Sequence, residues 1–241
     1  MRLMKKIYLV SYFLLFAINL SAQLKNDCIQ EVLNLENETF SKDYSNSDKT
    51  IFMSYTIQST DWEGKITTSN VKIYRYKQQL NFFSEQVNMY KDESNTVIVL
   101  KPQQVIIING VPKNVPSNYS DEFVELRKEF LKSCEVLKCE YDGTDKNIKT
   151  LEVRAKMNLG GKLKIDRMIY TYNNSTGKII KCETYYTKQF QVKKIVMEFQ
   201  TLDFNSDYKF TKSAKKQVLG KGGNLLVAYK GYELIDNTKD N

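Results

Sequence analysis

Few residues in this chain are equipped for chemistry. There is no histidine among 241 residues, so Ser-His-Asp and Cys-His nucleophilic arrangements and the usual imidazole metal sites are excluded. The remaining candidates are two close carboxylate pairs, Asp61 with Glu63 and Asp92 with Glu93, and four cysteines, Cys28, Cys134, Cys139 and Cys182. Paired acids can divide general-acid and general-base roles, but both pairs fall in predicted turns, where acidic side chains serve the local backbone. No base, nucleophile and orienting group can be assembled, and the expectation is a protein that is not an enzyme and needs no cofactor. Zinc is a poor match to the cysteines, because zinc sites recruit Cys in tight pairs or add His.

The compartment is read from the N-terminus. Arg2, Lys5 and Lys6 precede an apolar run from Ile7 to Leu20, and Ser21-Ala22 offers a small-residue exit before Gln23. This is the pattern of a secretory signal peptide cleaved after Ala22; the apolar run, about 14 residues, is shorter than the roughly 20 that span a bilayer. A lipoprotein leader would place Cys directly after the small residues, whereas Cys28 lies further on, so a soluble periplasmic chain is expected. Disulfides can form on that route. A bridge from Cys28 to either Cys134 or Cys139 would tie two predicted helices together, and Cys182, alternating with strand residues, reads as a small buried hydrophobe.

The leader, 1–22, leaves one domain over 23–241, with a C-terminal extension from about residue 205; a β-rich domain of this size need not split. Three Pro and ten Gly are too scattered to mark a linker. The net charge of +8 includes three charges of the leader, and its densest part is Lys209, Lys212, Lys215, Lys216 and Lys221. Such a cluster could meet anionic headgroups as a peripheral contact, or simply form a solvated surface. Nucleic acid is not an expected partner, for want of a recognisable binding module.

The elements that must position any site follow from periodicity. Ile51, Met53, Tyr55 and Ile57 alternate with Phe52, Ser54, Thr56 and Gln58, and strands are predicted at 51–58, 71–76, 79–83, 87–90, 96–100 and 105–108. Asp61, Gly64, Asp92 to Asn95 and Pro102 fill the breaks. Helical spacing predicts one helix over 26–40 and a second over 121–137, with N-cap residues in 117–121. After Asp142-Gly143, strands are predicted at 149–158, 164–173, 179–188, 195–204 and, beyond three glycines, 224–234. The fold class expected is α+β: a curved antiparallel β-sheet, an unclosed half-barrel, with helices covering the concave face, because each strand is rotated on the next by roughly 20–25°. A curved sheet wider than its side chains can fill becomes a cavity for an apolar guest.

Two segments carry a resemblance. Val71 to Phe83 followed by Val87 to Pro102, and Ile165 to Tyr172 followed by Gly177 and Ile179 to Tyr186, are similar to the strand and turn sequence of the LolA-like outer-membrane lipoprotein carriers. The acidic turn Asp92-Glu93-Ser94 lacks that family's glycine, and Arg75 and Lys77 compete for its early-strand arginine. The resemblance implies a half-barrel lidded by helices, a hydrophobic cavity for acyl chains, and a monomer whose partners are lipoprotein acyl chains or lipid. Phe52, Tyr55, Phe82, Phe83, Met89 and Tyr170 are the candidate cavity residues and Arg75 a candidate contact to lid or cargo; ordinary core aromatics and an exposed strand charge are the plainer readings. An envelope protein-binding scaffold on the same fold is the alternative, drawing on the basic C-terminal extension.

Overall fold

The computed structural model describes residues 27–37, 48–111, 128–156 and 164–238. In chain order these form α1 (27–36), β1 (Thr50–Asp61), β2 (Ile66–Tyr76), β3 (Gln79–Phe83), β4 (Val87–Lys91), β5 (Asn95–Leu100) and β6 (Val105–Gly110). Then come α2 (128–133), β7 (Glu135–Tyr141), β8 (Ile148–Arg154), β9 (Ile165–Asn173), β10 (Lys178–Tyr186), β11 (Val192–Ser206) and β12 (Glu233–Asp236). The leader, the first helix beyond residue 37, the helix start at 117–121 and the end of the 149–158 strand lie outside the described residues.

The chain divides into two compact units, each assembled from separate stretches of sequence. In the first, β7 to β10 form an antiparallel meander in sequence order. Asp142 closes the β7–β8 turn by accepting the Thr144 N–H at 2.8 Å, and Asn173 closes β9–β10 by accepting from Ser175 and Thr176 at 3.0 and 2.9 Å, with Gly177 at φ +62°. Helix α1 buries Cys28, Ile29, Val32, Leu33 and Glu36, a one-sided helical spacing. That face meets the sheet: Cys28 is disulfide-bonded to Cys139 in β7, Glu31 takes Lys149 of β8 and Tyr172 of β9, and Glu36 accepts from Tyr170. Leu151, Val153, Tyr170 and Tyr172 beneath it are fully buried.

The second unit holds the strand order β12-β6-β5-β4-β3-β2-β1-β11, antiparallel except that β12 runs parallel to β6. Residues paired across neighbouring strands share a face. One face carries Phe52, Tyr74, Asn81, Tyr90, Val97 and Ile108 in register, and the chain after β11 lies against it. Tyr208 stacks on Tyr74 at 4.0 Å between ring centres and takes the Asn81 side-chain N–H on its hydroxyl at 2.8 Å. Further along, Ala214 and Val218 pack with Tyr90, Val97, Val99, Ile106 and Ile108 into one buried cluster.

Three expectations are corrected. The helix over 121–137 is helical only to Ser133 among the described residues; Val136 and Cys139 pair with β8, and Leu137 falls in a bulge of that pairing. Tertiary strand pairing overrides the local helical spacing. The disulfide therefore ties α1 to a strand rather than to a second helix, with Cys139 as partner, while Cys134 and Cys182 are buried and lie outside the bridge. The strand over 224–234 is reduced to Glu233–Asp236, because Gly222, Gly223 and Gly231 adopt φ of 76°, 79° and 90° and turn the chain through short 3-10 segments at Lys221–Gly223 and Val227–Tyr229.

The bridge closes a sequence separation of 111 residues. Replacing Cys28 and Cys139 together by Ser is expected to cost about 2–5 kcal/mol in urea denaturation, a loss that reductant reproduces in the wild type. Burial pushes the Cys134 thiol up to about 11, with Lys156 offsetting only part of it, so alkylation of the native protein at pH 8 should leave Cys134 unmodified until denaturant is added.

Candidate functional site

The opposite face of the eight-stranded sheet carries an unbroken apolar row. Leu202 (β11), Met53 (β1), Ile73 (β2), Phe82 (β3), Met89 (β4), Ile98 (β5), Ile107 (β6) and Ile235 (β12) stand in register across all eight strands of this unit. At roughly 4.8 Å per strand the row is roughly 34 Å long. Leu202 and Met53 are buried, the next five members are half-buried, and Ile235 is 38% exposed. A parallel row on one side adds Tyr55, Val71, Val87, Leu100 and Val105. The row on the other side is mixed, Ile51, Arg75, Leu80, Lys91, Thr96 and Asn109, so two cations border the apolar band.

This register sorts the residues singled out from the sequence. Tyr55, Arg75, Phe82 and Met89 lie together on the face of the apolar row. Phe52 and Phe83 point the other way: Phe52 stacks on Tyr74 at 4.7 Å, and Phe83 meets Tyr74 and Tyr90 edge-on at 6.2 and 5.8 Å, beneath the C-terminal segment. Tyr170 belongs to the first unit, fully buried, with its hydroxyl donated to Glu36 at 2.8 Å. A surface on one side of the sheet can therefore use four of the seven. Ile73, Ile98 and Ile107 were not picked out, although the period-two pattern placing them beside Phe82 and Met89 was readable once the register was known.

Burial pushes the Tyr55 hydroxyl above its ordinary range, and it does the same to Tyr90, helped by the Tyr229 hydroxyl 3.4 Å away. In the first unit burial, with Glu31 next, raises Tyr172. One acid of each pair is a backbone acceptor: Asp61 takes the N–H of Glu63 and Lys65 at 3.0 and 2.8 Å, and Asp92 takes Ser94 and Asn95 on one oxygen and Ala214, at 2.7 Å, on the other. Among the described residues no group of three or more His, Cys, Asp or Glu could hold a metal ion, and no helix is long and apolar enough to cross a membrane.

An open, mostly antiparallel sheet, with an apolar row on one face and an apolar cluster beneath the C-terminal segment on the other, is the class of structure these observations define. No family model matches the chain, and no curated protein matches it in sequence. Solved structures do resemble it. An uncharacterized conserved protein from Thermus thermophilus shares 7% identity over 86% of this chain and 98% of its own, with a TM-score of 0.43. A LolA superfamily protein from Nitrosomonas europaea shares 10% over 77% and 98%, at 0.30, and the MucA/MucB complex of Pseudomonas aeruginosa shares 9% over 83% and 63%, at 0.35.

The row depends on register, and Glu85 pins it. Its carboxylate accepts the Ser69 hydroxyl and the Asn70 N–H, the latter at 2.9 Å, holding β2 against the end of β3. The Ser69 hydroxyl, then the Asn70 N–H, hold this carboxyl down to about 2 from an ordinary 4.5. The folded value is lowered, so the contribution is complete above about 4.5 and disappears as pH falls through about 2. Glu85→Gln should therefore be less stable than wild type at pH 7, and chemical denaturation series should show the two converging between pH 4.5 and 2.

Proposed function

We propose that this chain is an exported, non-enzymatic carrier or chaperone of the periplasm that shields the acyl chains of a lipoprotein or lipid from water. The observation that supports it is the eight-strand apolar row, a length of hydrocarbon-compatible surface without one polar side chain. Each methylene taken from water contributes about 0.8 kcal/mol, so an acyl chain needs a long apolar wall and few directional contacts. Phe82, Met89 and Tyr55 would line that wall, and Arg75 with Lys91 would face an anionic headgroup. The half-barrel roofed by helices is the shape this reading requires.

The test is an acyl-probe titration of the purified protein beside lipid mass spectrometry of the protein as isolated from the envelope. Phe82→Asp and Met89→Asp, on half-buried positions, are expected to weaken probe binding at least about tenfold with the thermal transition retained. Protein that is always isolated empty, and a probe affinity unaltered by either change, would count against carriage.

A protein-binding scaffold is favoured by one observation: Lys209, Lys212, Lys216 and Lys221 are exposed along the segment that covers the other face. If that reading holds, reversing these four lysines to Glu should release a stoichiometric partner in pull-downs while leaving acyl-probe binding intact. Charge reversal is the appropriate change, because truncating the segment would strip the buried cluster at Ala214 and Val218.

A further inference from the structure

The β1–β2 turn and the start of β11 bring together three of the few exposed large apolar side chains among the described residues. Trp62, the only tryptophan in the sequence, is 39% exposed, Ile66 is 62% exposed and Phe190 is 37% exposed. Trp62 and Ile66 flank one tight hairpin turn, closed by Asp61 and by Gly64 at φ +88°. Phe190 is brought alongside by the pairing of Asp61 with Val192, and the Trp62 indole N–H donates to the Phe190 carbonyl at 2.8 Å.

That last contact decides what the tip can enter. A tryptophan moved into an apolar medium normally carries an N–H that must find a partner there, and an unpaired donor is costly. Here the donor is already satisfied by the chain's own backbone, as are the turn N–H groups of Glu63 and Lys65 by the Asp61 carboxylate. The indole can leave water without orphaning a polar group. Lys65 in the turn and Lys193 at the start of β11 are exposed next to these residues, and of the two carboxylates there, Asp61 and Glu63, Asp61 is turned inward to the backbone. Exposed Trp, Phe and Ile beside exposed lysine is the composition of a surface that seats in the headgroup zone of a bilayer.

We propose that this hairpin tip is a membrane-docking site, in which Trp62, Ile66 and Phe190 enter the interface of an anionic lipid bilayer and Lys65 and Lys193 meet its headgroups. The site is separate from the apolar row and does not depend on acyl carriage. It also differs from the lysine-rich C-terminal segment, whose Tyr208 and Phe210 are engaged with Tyr74 and Tyr76 of the sheet.

Because Trp62 is the sole tryptophan, its fluorescence reports on the tip directly. The chain without residues 1–22 is titrated with phosphatidylglycerol/phosphatidylcholine vesicles and with phosphatidylcholine alone. Docking predicts a blue shift and quenching by bromolipids, stronger on the anionic vesicles and weakened by salt. Ile66→Asp and Phe190→Asp should each reduce vesicle partition about tenfold or more. Trp62→Ser should do the same in vesicle sedimentation, which does not rely on the fluorophore. Circular dichroism melts of the exposed-site variants serve as the folding control. An unshifted spectrum with both vesicle types would overturn the proposal, as would a shift that instead grows with protein concentration in the absence of lipid, which marks self-association. Partition unchanged by Ile66→Asp and Phe190→Asp in folded protein would overturn it as well.

Discussion

Cross-strand register is the constraint from which the rest of the larger unit follows. Side chains alternate along every strand, so a slip of one residue at any pairing would carry a strand's contribution from one face to the other. Seven pairings must hold for Leu202, Met53, Ile73, Phe82, Met89, Ile98, Ile107 and Ile235 to share a row. The same pairings deliver Phe52, Tyr74, Asn81 and Tyr90 to the C-terminal segment on the reverse side. Turn chemistry guards this arrangement at its margins: Asp61 and Asp92 accept backbone N–H groups of their own turns, and Glu85 accepts the Asn70 N–H of β2. Asp92 does so twice over, capping its own turn and holding Ala214, which couples the meander to the segment that covers it.

The smaller unit solves a different problem. A four-stranded sheet has a face to bury and limited area with which to do it, and helix α1 is fastened there by a covalent bond and by paired polar groups. Lys149 is only 8% exposed, yet its ammonium lies 2.7 Å from Glu31 and 5.2 Å from the Tyr141 ring. Glu31 also takes the Tyr172 hydroxyl at 2.6 Å. Buried charges of this kind are tolerable only when each has its partner, and their directional bonds then fix where the helix lies on the sheet.

Legibility varied with the range of the interaction. The strands 79–83 and 105–108, and the turns at Asp92 and Asn173, are written in neighbouring residues and emerge from alternation and turn chemistry alone. Leu137 misled because its spacing from Leu131 and Phe130 suits a helix, while β8, reached only after the turn at Asp142, supplies a stronger partner. The aromatic ladder Phe52, Tyr74, Tyr208 and Phe210 was invisible for the same reason, since Tyr208 stacks on a ring 134 positions earlier in the chain. The six aromatic and Met candidates fall on both faces and in both units, because residue type identifies what is apolar without saying which side it occupies.

By itself, then, the order of amino acids determined local conformation: which stretches are extended, where they turn, and that no imidazole chemistry is available, all consequences of side-chain type and of contacts within a few residues. Tertiary structure alone decided that Cys139 rather than Cys134 meets Cys28, that β12 adds parallel to β6, and that eight apolar residues from as far apart as Met53 and Ile235 line up on one face. Those outcomes rest on hydrogen-bond registers between distant strands, and a register is a property of pairs of segments that neither segment carries alone.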